Sequence, residues 1–355
     1  MENMEISSNF WKDRPVFITG HTGFKGGWLA LWLAHMGANV YGYSLEPPTK
    51  PSFFTSTKLE KHLTKSYIEN ILDLKRLTQL MNEVRPSVVF HMAAQSLVRR
   101  SYTLPLETFT TNVIGTINVL EAARHTQGIQ AIINITSDKC YENKELTLPY
   151  LENNKLGGND PYSSSKACSE LVTSAYRKSF LSDLGIKAAT ARAGNVIGGG
   201  DWATDRLIPD FLKSLDTSKI LQIRSPNSIR PWQHVLEPLS GYLILAEKLI
   251  KEGDFFADSW NFGPGENNEK SVSWIANHLC SKIPGATWQA DINLQVHEAE
   301  ILKLDSSKAQ KQLGWIPLWS IENALEKTIK WYEDWKKGSQ MTDISLNQIE
   351  NYINS

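Results

Sequence analysis

Tyr162 and Lys166 stand four residues apart, with Ser163, Ser164 and Ser165 between them. On a helix, residues i and i+4 share a face. A phenol ionises near pH 10 and is a poor base at neutral pH. A neighbouring ammonium favours the phenolate and lowers that value. A tyrosine tuned in this way takes the proton of an alcohol as its hydride departs. Ser137 follows an apolar run that ends at Thr136. It either shares the proton of the substrate hydroxyl with Tyr162 or caps a turn. Asp138 and Lys139 come next: two ionisable groups at the end of a strand, where α/β folds bind ligands, or a solvated loop pair. Asn112 opens the expected helix before Asn118, to anchor a water beside Lys166 or to cap that helix.

About 140 residues upstream, Gly20, Gly23 and Gly26 form G-x-x-G-x-x-G. A short apolar run, Pro15 to Thr19, precedes them, and the helical pattern WLALWLAHMG follows. Strand, glycine turn and helix N-terminus are the parts of a pyrophosphate cradle, since glycine permits close backbone approach and the helix dipole favours an anion. Gly20, His21, Thr22, Gly23, Phe24, Lys25 and Gly26 are therefore candidate dinucleotide contacts. The acid that usually meets the adenosine ribose is missing after the second strand, where Tyr43-Ser44-Leu45 stand with Glu46 one step late. No arginine replaces it, so NAD and NADP are both open at this position. Asp73 meets an adenine amine or caps the next helix.

These residues need a scaffold, and the pattern supplies one. Strands are expected at 15–19, 39–44, 87–91, 131–136 and 187–191, with helices at 76–84, 112–124 and 164–180 between them. That alternation predicts an α/β fold, a doubly wound Rossmann-type parallel sheet. After residue 194 the chain becomes loop-rich, with helices expected at 235–251, 271–282 and 320–336. The expected division is an NAD-binding domain over 10–194, with a return segment near 233–262. A smaller, mainly substrate-binding α/β part is expected over 195–355.

The chain has 355 residues, 37 Lys plus Arg against 38 Asp plus Glu, and a net charge of −1. That balance excludes a globally basic nucleic-acid binder. No apolar run is long enough to cross a membrane. The first 15 residues carry acids and no apolar stretch, so no secretory signal is expected. Cys140, Cys168 and Cys280 show no metal-ligand spacing, so no metal is expected. Unpaired thiols fit the cytoplasm. Twelve tryptophans are an unusual number; Trp202 and Trp232 are candidates to flank a sugar or base.

The segments TGHTGFKG, HMAAQS, NVIGT, TSDKCY, YSSSK, RAGNVIGGGD, RLIP, RPWQHV and LGWIP span nearly the whole chain. With them the sequence resembles the extended short-chain dehydrogenase/reductase family, in its nucleotide-sugar dehydratase branch. The resemblance implies a tightly held NAD that is recycled within each turnover. It implies conversion of CDP-glucose to CDP-4-dehydro-6-deoxy-D-glucose plus water, in deoxysugar biosynthesis for bacterial surface polysaccharide. Relatives acting on dTDP-glucose carry Thr-Asp-Glu where this chain has Ser137-Asp138-Lys139. Asp138 is then the acid at C6, and Lys139 the C5 base or a charged stabiliser of the enolate. Ala93 joins the cofactor site, and Asn195, Arg206 and Arg230 the substrate site. His21 replaces a smaller residue and bears on how the pyrophosphate sits. A homodimer or homotetramer is implied, through the helices at 112–124 and 164–180. Two rival readings share parts of the pattern. An NDP-sugar 4-epimerase would leave Asp138 and Lys139 idle, and a non-catalytic NAD sensor would not need Ser137, Tyr162 and Lys166.

Overall fold

The computed structural model describes residues 6–145, 148–217, 219–265, 268–291 and 301–355. Six strands follow in chain order: β1 (Pro15–Thr19), β2 (Asn39–Ser44), β3 (Lys65–Ile68), β4 (Val88–His91), β5 (Ala131–Ile135) and β6 (Lys187–Ala193). A seventh, Ser259–Phe262, returns from the C-terminal half and pairs with β6. The sheet runs β3-β2-β1-β4-β5-β6 and then the returning strand. Every pairing in it is parallel. Parallel strands are covered on both faces, which is why β4 and β5 are buried at every position and apolar but for His91 and Asn134. The strand order reverses between β1 and β4, and ligands of such sheets bind at that reversal.

The helix after β1, Phe24–His35, is buried nearly all round. One side packs under the sheet, and the other meets a C-terminal helix, Met341–Ile353, with Trp32 edge-on to Tyr352 at 5.8 Å. A helix sandwiched in this way can be apolar on every face, as WLALWL is. Six tryptophans (Trp11, Trp28, Trp32, Trp260, Trp315 and Trp331) are fully buried in this layer, so much of the tryptophan excess is core packing. Helices Leu74–Val84, Gly115–Arg124 and Pro161–Tyr176 cover the opposite face. A third core, around Phe211, Trp232, Ile275 and Leu325, belongs to the loop-rich C-terminal part and its short two-stranded pairs.

Some elements differ from expectation. The helix after the glycine loop begins at Phe24, a turn before Trp28, because Gly26 lets its first turn pack closely on the loop while Gly27 makes room for the Phe53 ring. The expected helix at 112–124 enters through a π turn, Thr110–Ile114. The helix expected to reach 180 ends in another, Arg177–Leu181. Strand β3 and the helix Met341–Ile353 were not expected. β3 is a half-exposed edge strand with little apolar signal. The C-terminal helix docks through Met341, Ile349 and Tyr352, but the buried polar side chains Ser345 and Gln348 on the same face break up its apolar pattern.

Candidate active site

The glycine loop lies at the strand-order reversal. Gly20 has φ +84°, and a Cβ there would stand 2.7 Å from the Ala93 nitrogen. A Cβ on Gly26 would stand 2.2 Å from the Gly20 carbonyl oxygen. The turn therefore needs glycine at both positions, and it brings Ala93, just after β4, against Gly20. Gly23 is the N-cap of Phe24–His35, and no side chain caps that helix. A tight backbone cradle at an uncapped helix start fits a dinucleotide pyrophosphate. Thr22 ties the loop to the end of β2, bonding Ser44 and the Leu45 carbonyl, both at 2.8 Å. Asp73 caps Leu74–Val84 by accepting from the Arg76 N–H at 3.0 Å.

Two loop side chains turn elsewhere. The His21 imidazole is buried beneath β2, where Nε2 meets the Ser66 hydroxyl at 2.7 Å. Burial lowers its pKa to about 4, so it is neutral. Lys25 points toward the catalytic cleft instead, donating to the Tyr242 hydroxyl at 2.6 Å. Burial and the nearby Lys166 charge lower its pKa to about 7.

The catalytic helix, Pro161–Tyr176, starts with Asp160 as N-cap and proline at its first position, a strong start signal. It carries Tyr162 and Lys166 as expected. Ser137 ends the run from β5 and opens a short 3₁₀ turn, Asp138–Cys140. The Ser137 hydroxyl donates to Asp138 Oδ1 at 3.0 Å and accepts from the Lys139 N–H at 3.2 Å. It also bonds the Tyr162 phenol. Ser137, Asp138, Tyr162 and Lys166 are all buried. Asp138 Oδ2 has no hydrogen-bond partner. Burial raises the Asp138 carboxyl from its ordinary value, against the pull of Lys139, Ser137 and Arg230.

The phenol does not behave as the Tyr-Lys spacing alone implies. Burial pushes Tyr162 up to about 12, outweighing its bond to Ser137 and the charge of Arg206. Lys166 donates to the Ile135 carbonyl at 3.2 Å, and burial lowers its pKa to about 8. Asn112 lies in the π turn, not at a helix cap. Its side chain bonds the Gln95 backbone and donates to the Ser165 hydroxyl at 2.8 Å. It thereby braces the catalytic helix against the segment after β4.

Arg206 and Arg230 flank this centre. Arg206 donates to Asp201 at 2.8 Å and Ser96 at 3.1 Å, and its charge acts on Tyr162. Arg230 is buried, donates to the Ile229 carbonyl at 3.0 Å and acts on Asp138. The Asn195 carbonyl accepts from the Gln233 N–H at 3.0 Å, linking the post-β6 loop to the C-terminal part. Trp202 packs edge-on against Trp331 and Trp335, and the Trp232 indole donates to the Lys270 carbonyl. Trp232 is buried, whereas Trp202 keeps part of its surface exposed. Glu170 and Arg192, which hold the floor of the site, were not singled out from sequence. Glu170 lies four residues after Lys166, so the same i, i+4 rule reaches it.

Sheet order, glycine loop and the Ser137, Tyr162 and Lys166 set define an extended short-chain dehydrogenase/reductase, an enzyme class. Residues 17–328 match the family model described as GDP-mannose 4,6 dehydratase, and the chain belongs to that family of nucleotide-sugar dehydratases. It is 49% identical, over 99% of both chains, to a CDP-glucose 4,6-dehydratase of Salmonella typhimurium. A dTDP-glucose 4,6-dehydratase of Haemophilus influenzae is 26% identical over 74% of this chain and 81% of its own. Among solved structures, a dTDP-glucose 4,6-dehydratase of Streptomyces venezuelae with NAD bound shares the fold, with TM-score 0.77 and 22% identity. That match covers 92% of this chain and 99% of the other.

Proposed function

We propose that this enzyme converts CDP-D-glucose to CDP-4-dehydro-6-deoxy-D-glucose and water, as a step of deoxysugar biosynthesis. The observation that carries the reading is Asp138, a buried carboxyl with a raised pKa and one oxygen unpartnered, beside Ser137. An elimination needs such a proton donor; a 4-epimerisation does not. The 49% identity to a CDP-glucose 4,6-dehydratase supports the choice of sugar nucleotide.

The cofactor in this reading is NAD, held by the 20–26 loop, Ala93 and Asp73. When bound, it supplies a reversible hydride acceptor. Tyr162 removes the proton of the C4 hydroxyl, and Ser137 donates to the oxygen that becomes the ketone. Lys166 favours the phenolate with its charge. The C4 ketone acidifies the C5 hydrogen. Lys139 removes that proton or steadies the enolate as a cation, while Asp138 protonates the leaving C6 hydroxyl. The hydride taken from C4 is then returned to C6 and C5 is reprotonated, so that no external reductant is consumed. Arg206 and Arg230 grip the diphosphate and Asn195 contacts the sugar nucleotide, guanidinium forks being matched to phosphate oxygens.

The protein acts as a homo-oligomer in the cytoplasm in this reading. Leu106, Phe109 and Ile114 on one helical segment, Leu171 on the catalytic helix and Phe180 on the π turn that ends it are exposed apolar side chains. Such a face suits a second copy, as a helix bundle between protomers. No described helix is long and apolar enough to cross a membrane.

The test is incubation with NAD⁺ and, separately, CDP-glucose, dTDP-glucose, GDP-mannose and UDP-glucose, followed by mass spectrometry. Loss of one water from CDP-glucose alone is expected. Loss from dTDP-glucose alone overturns the base assignment, and an isomer of unchanged mass overturns the dehydratase chemistry.

A further inference from the structure

Beneath the catalytic residues lies a buried ion pair that none of the roles above uses. The Glu170 carboxylate accepts from Thr136, from Thr190 at 2.7 Å, and from Arg192 Nε at 2.9 Å and Nη2 at 2.8 Å. Arg192 Nη1 continues to the Tyr141 hydroxyl at 2.8 Å and the Glu152 carbonyl at 2.9 Å. Tyr141 donates to Asn261 Oδ1 at 2.7 Å. The Asn261 amide then donates to the carbonyls of Tyr150 and Asp305, at 2.8 and 3.0 Å. Glu170, Arg192, Tyr141 and Asn261 are all 3% exposed or less. One hydrogen-bonded chain thus runs from the end of β5, through the catalytic helix and β6, to the returning strand.

A buried ion pair is weak support for stability, since desolvation offsets most of its attraction. Its placement is more telling. Thr136 immediately precedes Ser137 and Asp138, and Glu170 lies one helical turn beyond Lys166.

We propose that Glu170, held in a fork by Arg192, is a positioning residue of the reaction: it fixes Thr136, and with it the Ser137–Asp138 turn, and keeps Lys166 an ammonium. The inference rests on the roles proposed for Ser137, Asp138 and Lys166. Burial drives Lys166 toward its neutral form, and Glu170 opposes that. The other titratable groups facing Lys166 do little to help. Lys25, from the glycine loop, repels it. His91, at the end of β4, is kept neutral by burial, near pKa 3. Cys140 acts in the same direction as Glu170 but to a lesser extent, and burial raises its thiol well above the ordinary value.

Two variants test this beside the wild type. Glu170→Gln with Arg192→Gln removes both charges, so that neither is left stranded. Arg192→Lys keeps both charges but loses the bidentate fork. The readouts are the alkaline limb of the kcat profile with CDP-glucose and NAD⁺, and the pH titration of the Lys166 side chain by NMR, assigned with Lys166→Arg. In the double variant Lys166 is expected to titrate about one pH unit lower, and the alkaline limb to move with it. In Arg192→Lys the limb is expected to stay while kcat falls about tenfold. An unshifted Lys166 titration in the double variant overturns the inference. So does wild-type kcat in Arg192→Lys, which decides the matter alone should the double variant not fold. A wild type inert toward CDP-glucose overturns the proposed function instead, and the NMR titration then still judges Glu170.

Discussion

The Ser137 hydroxyl donates to Asp138 Oδ1 at 3.0 Å and leaves Oδ2 buried without a partner. One oxygen is oriented by Ser137, and the other is the one that the proposed elimination would use at C6. Burial raises this carboxyl, so it holds its proton to higher pH than an exposed aspartate. As an acid it works below its folded pKa and is lost as pH rises through it, so water loss should fall on the alkaline side. Asp138→Asn should preserve C4 oxidation and slow elimination by roughly 10²–10⁴-fold. Near-ultraviolet absorbance should then show enzyme-bound NADH accumulating with substrate. Normal turnover by the variant would remove Asp138 from the mechanism.

Tyr162 is pushed up to about 12, so its proton is firmly held before substrate and cofactor assemble. Tyr162→Phe should cut kcat by roughly 10²–10⁴-fold. NAD⁺ affinity, followed by quenching of tryptophan fluorescence, should change little. A comparable loss of affinity would mean that the phenol serves binding rather than proton transfer.

His21 and Gly42 form a knob and a notch. A Cβ on Gly42 would stand 2.3 Å from the His21 ring. Gly42→Ala should therefore destabilise the fold by about 1–3 kcal/mol, because the buried ring has nowhere to move. Adding His21→Gly should recover part of that loss, a coupling that urea unfolding of the two singles and the double would measure. Purely additive effects would show that the ring is not what fills the notch.

Glu237 is fully buried, and its carboxylate accepts from the Leu318 and Trp319 N–H groups and the Tyr352 hydroxyl. Burial raises its pKa from 4.5 to about 7. Between those values the folded protein holds a proton that the unfolded chain has lost. Its contribution to stability is thus complete below about pH 4.5 and is lost as pH rises through about 7. Urea unfolding should show stability falling by a few kcal/mol across that window, with the slope much reduced in Glu237→Gln. An unchanged slope in the variant would point to another group.

The glycine loop and the Tyr162–Lys166 pair were largely written in local sequence. A strand, three glycines and a helix, then Tyr162 and Lys166 one turn apart, depend on backbone conformation and on spacing within a single element. Such rules act over a few residues and need no partner from elsewhere in the chain. The doubly wound sheet followed from the alternation of strand and helix patterns, and the returning strand Ser259–Phe262 closes it beside β6.

Tertiary structure decided what spacing cannot carry. His21, Gly42 and Ser66 are far apart in the chain, and only the pairing of β2 with β1 and β3 brings them together. Trp202 offered the chemistry of a sugar platform, and the edge-on contacts that hold its ring come from Trp331 and Trp335, on a helix about 130 residues later. The ionisation of Asp138, Tyr162, Lys25 and Lys166 was equally hidden. A pKa is set by how much water each group loses and which charges it faces, and both are properties of the assembled cleft rather than of the residue.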